Sequence, residues 1–333
     1  MKFSFKINLF EGIIESQFNW DSIFICPAPG DLDKGAKMLS KIYNLLNNCY
    51  EDNSLDKLPD IKLQLFLLTV KSMMPFEDNI GCMFDILRYE KEMYLFKCYK
   101  NGHDYNLEYY YENNSYSEKE DKLLEFKIIP VIIANTQWDI LINEVLKISF
   151  FYSINSKNIL NAIILSSVIS EFLSSDEYVE NLNEVTRERI INFSLKNFLS
   201  DNNINMNKSN LIEFEKERIK TLSKNDLITE DLIKEFKSLC YILKGTKEKS
   251  EILNETVLSS FSQYLYKLRK GIINPEKLKI PQGNIPEIKE FIKYDTFNHP
   301  LLGRCKVCKR GAKEIILRNK SGLIKVNIWK YYL

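Results

Sequence analysis

Apolar residues recur every three to four positions along most of the chain, the period of an amphipathic helix. Ile7, Phe10, Ile14 and Phe18 follow it near the N-terminus, then Met38, Ile42, Leu45 and Leu46, then Leu63, Phe66, Val70 and Met73–Met74. The same period predicts helices over 137–153, 157–173, 185–199, 209–223, 228–243 and 250–271. Thr229 before "EDLIKEF" and Ser156 before "KNILNAIIL" are expected N-caps, because a hydroxyl there accepts a backbone N–H of the first turn. Two stretches break the period. "EMYLFKCYKNGHDYNLEYYYENN" has aromatic runs either side of Asn101-Gly102, a pair suited to a two-residue β-hairpin. "KEIILRNKSGLIKVNIWKYYL" has β-branched runs around Asn319–Gly322 and predicts a second hairpin. The polar stretches 112–121 and 201–210 are expected to be solvated loops.

Charge changes this picture only at the C-terminus. Across 333 residues, 46 Lys and Arg nearly balance 45 Asp and Glu, so no whole-molecule field points to nucleic acid or membrane. Residues 303–333, however, carry nine basic residues and one acid. Trp329, Tyr331 and Tyr332 are interleaved with them, a mixture suited to phosphate neutralisation and base stacking. The competing reading is a hairpin whose lysines protect an exposed edge, with Ile315, Leu317, Ile324, Val326 and Ile328 alternating into a core.

Seven cysteines, an odd and scattered number, do not form a disulfide framework, and a reducing cytoplasm is the expected compartment. The N-terminal "MKFSFKINLFEGIIES" carries lysines within its apolar pattern and does not read as a signal peptide. The longest apolar run, "ILNAIILSSVISEFL", is too short and too rich in Ser to span a bilayer. The expectation is a soluble protein with no membrane partner.

Cys305 and Cys308 in "HPLLGRCKVCKRG" have the spacing of half a zinc ribbon, with His299 a third ligand and Cys240 or a second chain a fourth. The alternative is two reduced thiols in a turn. The chain has two histidines, His103 and His299, and nothing pairs either with a nucleophile. It has no Walker A sequence, and no G-x-G-x-x-G follows a strand.

Four stretches carry a family likeness. Gly12 stands on the first predicted helix. Asp33-Lys34-Gly35-Ala36 precedes Met38 at a helix start. Lys127-Ile128-Ile129-Pro130 leads into two helices joined after Phe151-Tyr152. Leu253-Asn254-Glu255-Thr256 opens a helix that runs on to Ile280-Pro281. In this order and spacing they resemble the ADP-ribosylglycohydrolase family, all-helical enzymes that remove ADP-ribose from modified groups with two magnesium ions. The family has Gly-x-x-x-Gly-Asp, Thr-Asp-Asp-Thr-x-Met, Arg-Ile-Ala-Pro followed by Thr-His, and Gly-Gly-Asp-Thr-Asp-Thr at these places. The resemblance covers about 1–75 and 123–280.

It implies a mainly α, ADP-ribosylglycohydrolase-like bundle over 1–293, with a β-hairpin insert at about 82–112 and a basic α+β appendage over 294–333. It also implies a degenerate site. Magnesium needs carboxylate oxygens, and Lys34 and Gly35 in place of two aspartates shift the local charge three units the wrong way. The family's magnesium site is therefore expected to be lost and the chain to be a pseudoenzyme; an active hydrolase would need a rearranged metal site. A retained nucleotide cleft would be lined by Asp31, Asp33, Lys34, Asn254, Glu255 and Thr256. Lys34 there would receive an anion such as a pyrophosphate, against its reading as a surface lysine. Asp31 and Asp33 are read as helix caps, against metal ligation. The other function class is a nucleic-acid- or protein-binding scaffold acting through 303–333.

Overall fold

A computed structural model describes residues 29–50, 57–77, 80–175, 181–245, 257–273 and 286–327, with the backbone alone for 29–34. The helix expected over Ile7 to Phe18, with Gly12, lies outside them. The chain is mainly helical. The first part holds α1 (Pro29–Cys49), α2 (Ile61–Lys71), β1 (Met73–Pro75), β2 (Cys82–Phe84), α3 (Ile86–Tyr99) and α4 (Tyr105–Asn113). Next come α5 (Leu124–Ala134), α6 (Trp138–Tyr152), α7 (Ser156–Ser174), α8 (Leu182–Asn192), α9 (Leu195–Asp201) and α10 (Lys208–Leu222). The last part holds α11 (Glu230–Glu235), α12 (Lys237–Lys244), α13 (Val257–Arg269), α14 (Ile288–Phe291), β3 (Thr296–His299), β4 (Gly303–Arg310), β5 (Glu314–Asn319) and β6 (Gly322–Asn327). Among the described residues no helix is long and apolar enough to cross a membrane.

The described residues group into two units. One takes the described residues within Met1–Tyr43, Tyr50–Gly102 and Ser250–Leu333, the other those within Asn44–Cys49 and His103–Lys249. The sequence reading divides the chain differently, at 293/294. In the structure the C-terminal strands share a unit with α2, α3 and α13.

In the second unit, α5, α6 and α7 pack on one another, and α7 also carries α8, α10 and α12. Every residue of α5 is buried, Lys127 and Pro130 included. Each buried isoleucine or leucine there contributes about 1.5–3 kcal/mol of transfer free energy. α7 is buried over nearly its whole length and satisfies part of its polar inventory internally, as where Ser167 Oγ meets Thr186 Oγ1 at 2.9 Å.

The predicted helices 137–153, 157–173 and 209–223 are present within a residue or two as α6, α7 and α10. Thr229 caps α11 by accepting Leu232 N–H. Ser156 does not cap α7: it is the first helical residue, and Asn155 accepts Lys157 N–H at 3.0 Å. The stretch 185–199 splits into α8 and α9 because Ser194 caps a new start. The stretch 228–243 splits at Phe236, which adopts extended backbone.

The β-hairpin insert at 82–112 is a correction. Residues 86–99 and 105–113 are helices, each opened by an aspartate: Asp85 accepts Arg88 N–H at 3.0 Å and Asp104 accepts Leu107 N–H at 3.1 Å. Tyr89, Met93, Phe96 and Tyr99 are buried at helical spacing, so period outweighs the strand preference of aromatic residues. Gly102 serves a close approach instead of a hairpin turn. Its φ is +129°, and a Cβ there would lie 2.8 Å from the Ile61 Cβ.

The C-terminal hairpin forms as expected, with β5 and β6 joined through Lys320-Ser321. It belongs to a four-stranded antiparallel sheet in the order β3-β4-β5-β6. Its inner face buries Phe297, His299, Cys305, Ile315, Leu317, Ile324 and Val326, and α3 packs against β6.

Candidate functional site

The six residues expected to line a nucleotide cleft are only partly placed. Asp31, Asp33 and Lys34 lie on α1, which begins at Pro29. Proline suits the first helical position because its missing N–H has no partner there. Asp31 and Asp33 are therefore the third and fifth residues of the helix and not its N-cap, a correction to the sequence reading. Asn254, Glu255 and Thr256 lie outside the described residues. One step beyond Lys34, Gly35 approaches α13: a Cβ at this position would meet the Tyr266 hydroxyl at 2.9 Å. α1 and α13 thus come into close approach at Gly35 and Tyr266.

Sequence reasoning missed a buried charged centre in the second unit. Lys127 is fully buried on α5, and its Nζ lies 2.7 Å from both Asp104 Oδ2 and Asp121 Oδ2. It also sits 3.7 Å above the Tyr152 ring at the end of α6. Asp104 is the α4 cap; Asp121 accepts Leu123 N–H at 2.9 Å, while its own N–H donates to Asn158 Oδ1 on α7. Ser117 donates to Asn106 Oδ1, and its backbone bridges Tyr152 and Ile154. The stretch 112–121, expected as a solvated loop, is therefore pinned at Ser117 and Asp121, both buried. A regularly repeated apolar pattern hides such a lysine, because position alone cannot reveal its carboxylate partners.

The electrostatics fix the roles. Burial disfavours charge on Lys127, but the two carboxylates outweigh it and raise its pKa. Burial also works against Asp104, yet Lys127 and two backbone N–H groups bring its pKa down. Asp121 goes the other way: complete burial, with Asp104 adding to it, holds its carboxyl above the usual range. A lysine that acts as nucleophile or base must be neutral and reachable. Lys127 is neither, so this centre clamps α4, the 114–123 segment, α5 and α7. Glu125 does similar work, accepting N–H groups of Lys237 at 3.1 Å and Ser238 at 2.6 Å at the start of α12.

In the first unit, Cys305 and Cys308 both lie in strand β4, not in a turn. Cys305 is buried under the sheet and Cys308 is exposed. Burial pushes the Cys305 thiol up to about 12, which opposes the thiolate that zinc requires. His299, the expected third ligand, has both ring nitrogens engaged. Leu301 N–H donates to Nδ1 at 3.2 Å, so Nε2 carries the proton and donates to the Pro286 carbonyl at 3.1 Å. Cys240 lies on α12 in the other unit. Among the described residues no group of three or more His, Cys, Asp or Glu is placed to hold a metal ion. A small cleft bounded by Pro59, Gln64, Lys71, Tyr99, Asn319 and Leu323 holds about 30 Å³, the room of a water molecule and not of a nucleotide.

The outer face of the same sheet has a different character. Directly opposed residues of an antiparallel pair share a face. Lys306 opposes Thr296 on one side and Arg318 on the other; Lys309 and Lys325 both oppose Ile316; Arg304 opposes Asn298. Five basic residues therefore share one face, and Arg304, Lys306, Lys309 and Arg318 are exposed. Glu314, 3.8 Å from Lys325, is the acid of these strands. Trp329, Tyr331 and Tyr332 lie outside the described residues. The two readings of the hairpin are thus compatible: the β-branched residues fill the inner face and the cations crowd the outer one.

Comparison with protein-family models, with curated proteins and with solved structures found no match.

Proposed function

We propose that the chain is a catalytically degenerate ADP-ribosylglycohydrolase-like protein that binds ADP-ribose or a related nucleotide without two-metal hydrolysis. One observation carries the reading: Lys127, at the place of the family's arginine, stacks on Tyr152, at the place of its histidine. Two motif positions 25 residues apart in sequence thus lie side by side, which supports the reading. The contact of Gly35 with Tyr266 supports it further, since it joins the two helices matched to the metal motifs. Lys34 in place of an aspartate favours an anion over a dication at the α1 start. ADP-ribose is expected to raise the melting temperature of wild type without magnesium, and Lys34→Ala to remove that rise. Release of ADP-ribose from a modified substrate that Glu255→Gln abolishes would instead establish an active hydrolase.

A second reading, from the basic sheet, makes the chain a scaffold that engages nucleic acid or an acidic protein through 303–333. It is favoured by the direct opposition of Lys306 and Arg318 on an exposed face.

A further inference from the structure

We propose that the outer face of α10 is a parallel, two-stranded coiled-coil seam through which two copies of this chain associate; the inference stands apart from both readings above. α10 packs its inner side on α7 and α8 and buries Phe214 there. Its opposite side leaves Ile212 57% and Ile219 66% exposed, although isoleucine belongs to the interior. The two are seven residues apart, so they lie within about 20° of each other round the helix axis. A single exposed apolar residue needs no explanation. A heptad-spaced pair, on a helix whose core face is already filled, is the mark of a second seam.

With Ile212 and Ile219 at heptad position d, position a falls on Ser209, Lys216 and Ser223, and all five residues are exposed. Position e then holds Glu213 and Lys220, and position g holds Lys208, Glu215 and Leu222. In a parallel pair each g residue faces the e residue five places on in the other helix. Lys208 faces the second copy's Glu213, and Glu215 faces its Lys220, so both charged pairs are attractive. Lys216 lies next to the second copy's Glu215 and fixes a two-stranded register at a cost in affinity. Antiparallel pairing, with Ile212 on Ile219, would instead set Glu215 beside the same residue of the second copy. Within one copy these charges already have partners: Glu215 holds Arg218 at 2.6 Å, Lys220 holds Glu217 at 3.0 Å, and Lys216 lies 4.0 Å from Glu213. They select partner and direction, while burial of the isoleucines drives association. α10 is already helical within its unit, so association does not bear the nucleation cost that makes isolated two-heptad helices marginal. A bilayer surface would need a broad apolar face, and here charged residues flank each isoleucine.

The test is sedimentation velocity of the full chain from about 1 to 300 µM, since a short seam gives a concentration-dependent association. A reversible monomer–dimer equilibrium is expected. Ile219→Asp is expected to weaken it at least about tenfold without lowering the melting temperature of dilute protein, and Lys216→Ile to strengthen it at least about tenfold. Lys208→Glu sets two carboxylates against each other across the seam and is expected to weaken it severalfold; Glu213→Lys added to it is expected to restore the dimer. Leu87→Asp removes a residue 72% exposed in the other unit and should leave the equilibrium unchanged. Dimerisation that survives Ile219→Asp, or that Leu87→Asp removes equally, would overturn the seam. Failure of Glu213→Lys to rescue Lys208→Glu would overturn the parallel pairing. A monomer at every concentration would overturn the second copy as occupant and leave the face to a helix of another protein.

Discussion

At the scale of single residues, two buried groups govern stability. Lys127 is enclosed by Asp104, Asp121 and Tyr152. Removing one partner of a buried ion cluster leaves uncompensated charge, at a cost of about 3–5 kcal/mol. Lys127→Met should show that loss in urea unfolding, and adding Asp104→Asn with Asp121→Asn should restore a large part of it. A loss below about 1 kcal/mol for the single variant would mean that the cluster is not the clamp described. His299 sets a pH dependence. Its burial, with Lys71 adding to it, lowers its pKa to about 4 from the ordinary 6.5, against the pull of the Pro286 carbonyl. Between those values the unfolded chain takes up a proton that the folded chain refuses. Stability therefore falls as pH drops from 6.5 towards 4, by up to about 3 kcal/mol, and is fully present above 6.5. In His299→Gln that contribution to the slope disappears, which paired denaturation curves at pH 7 and pH 4.5 would measure.

At the scale of elements, capping decides where helices begin, and it also explains what the sequence concealed. α6, α7 and α10 were legible because their apolar period is long and regular. α3 and α4 were not, because Tyr, Phe and Asn-Gly are the residues of hairpins as well; the aspartates at 85 and 104 were the available signal of helix starts. The cap of α7 gives a direct comparison: Asn155→Ala should cost about 1 kcal/mol and Ser156→Ala clearly less. Gly102→Ala should cost about 1–3 kcal/mol, since it meets Ile61 and places a side chain at φ +129°. Thermal melts of these three variants test the element boundaries without reference to function.

At the scale of the whole molecule, the mainly helical class was legible from periodicity, whereas the division of the chain was not. Basic charge after residue 303 suggested an appendage, but the inner face of the sheet is as apolar as any core: Leu317 and Val326 are fully buried. A sheet with one apolar face must be covered, and α3 covers it at β6. Deleting 294–333 should accordingly destabilise the first unit instead of releasing an intact 1–293 fragment, a result that limited proteolysis can score. Of the candidate site, the alternation of Ile315, Leu317, Ile324 and Val326 foretold a core face and the cations a charged one. The Lys127 centre was invisible, because its three charges come from separate elements.

In the proposed function, nucleotide binding survives where two-metal chemistry does not. Titration calorimetry of the full chain with ADP-ribose, with and without magnesium, tests it most directly. The same heat and affinity are expected in both buffers, and their loss in Lys34→Ala. Binding that requires magnesium, or no heat in either buffer, would contradict it.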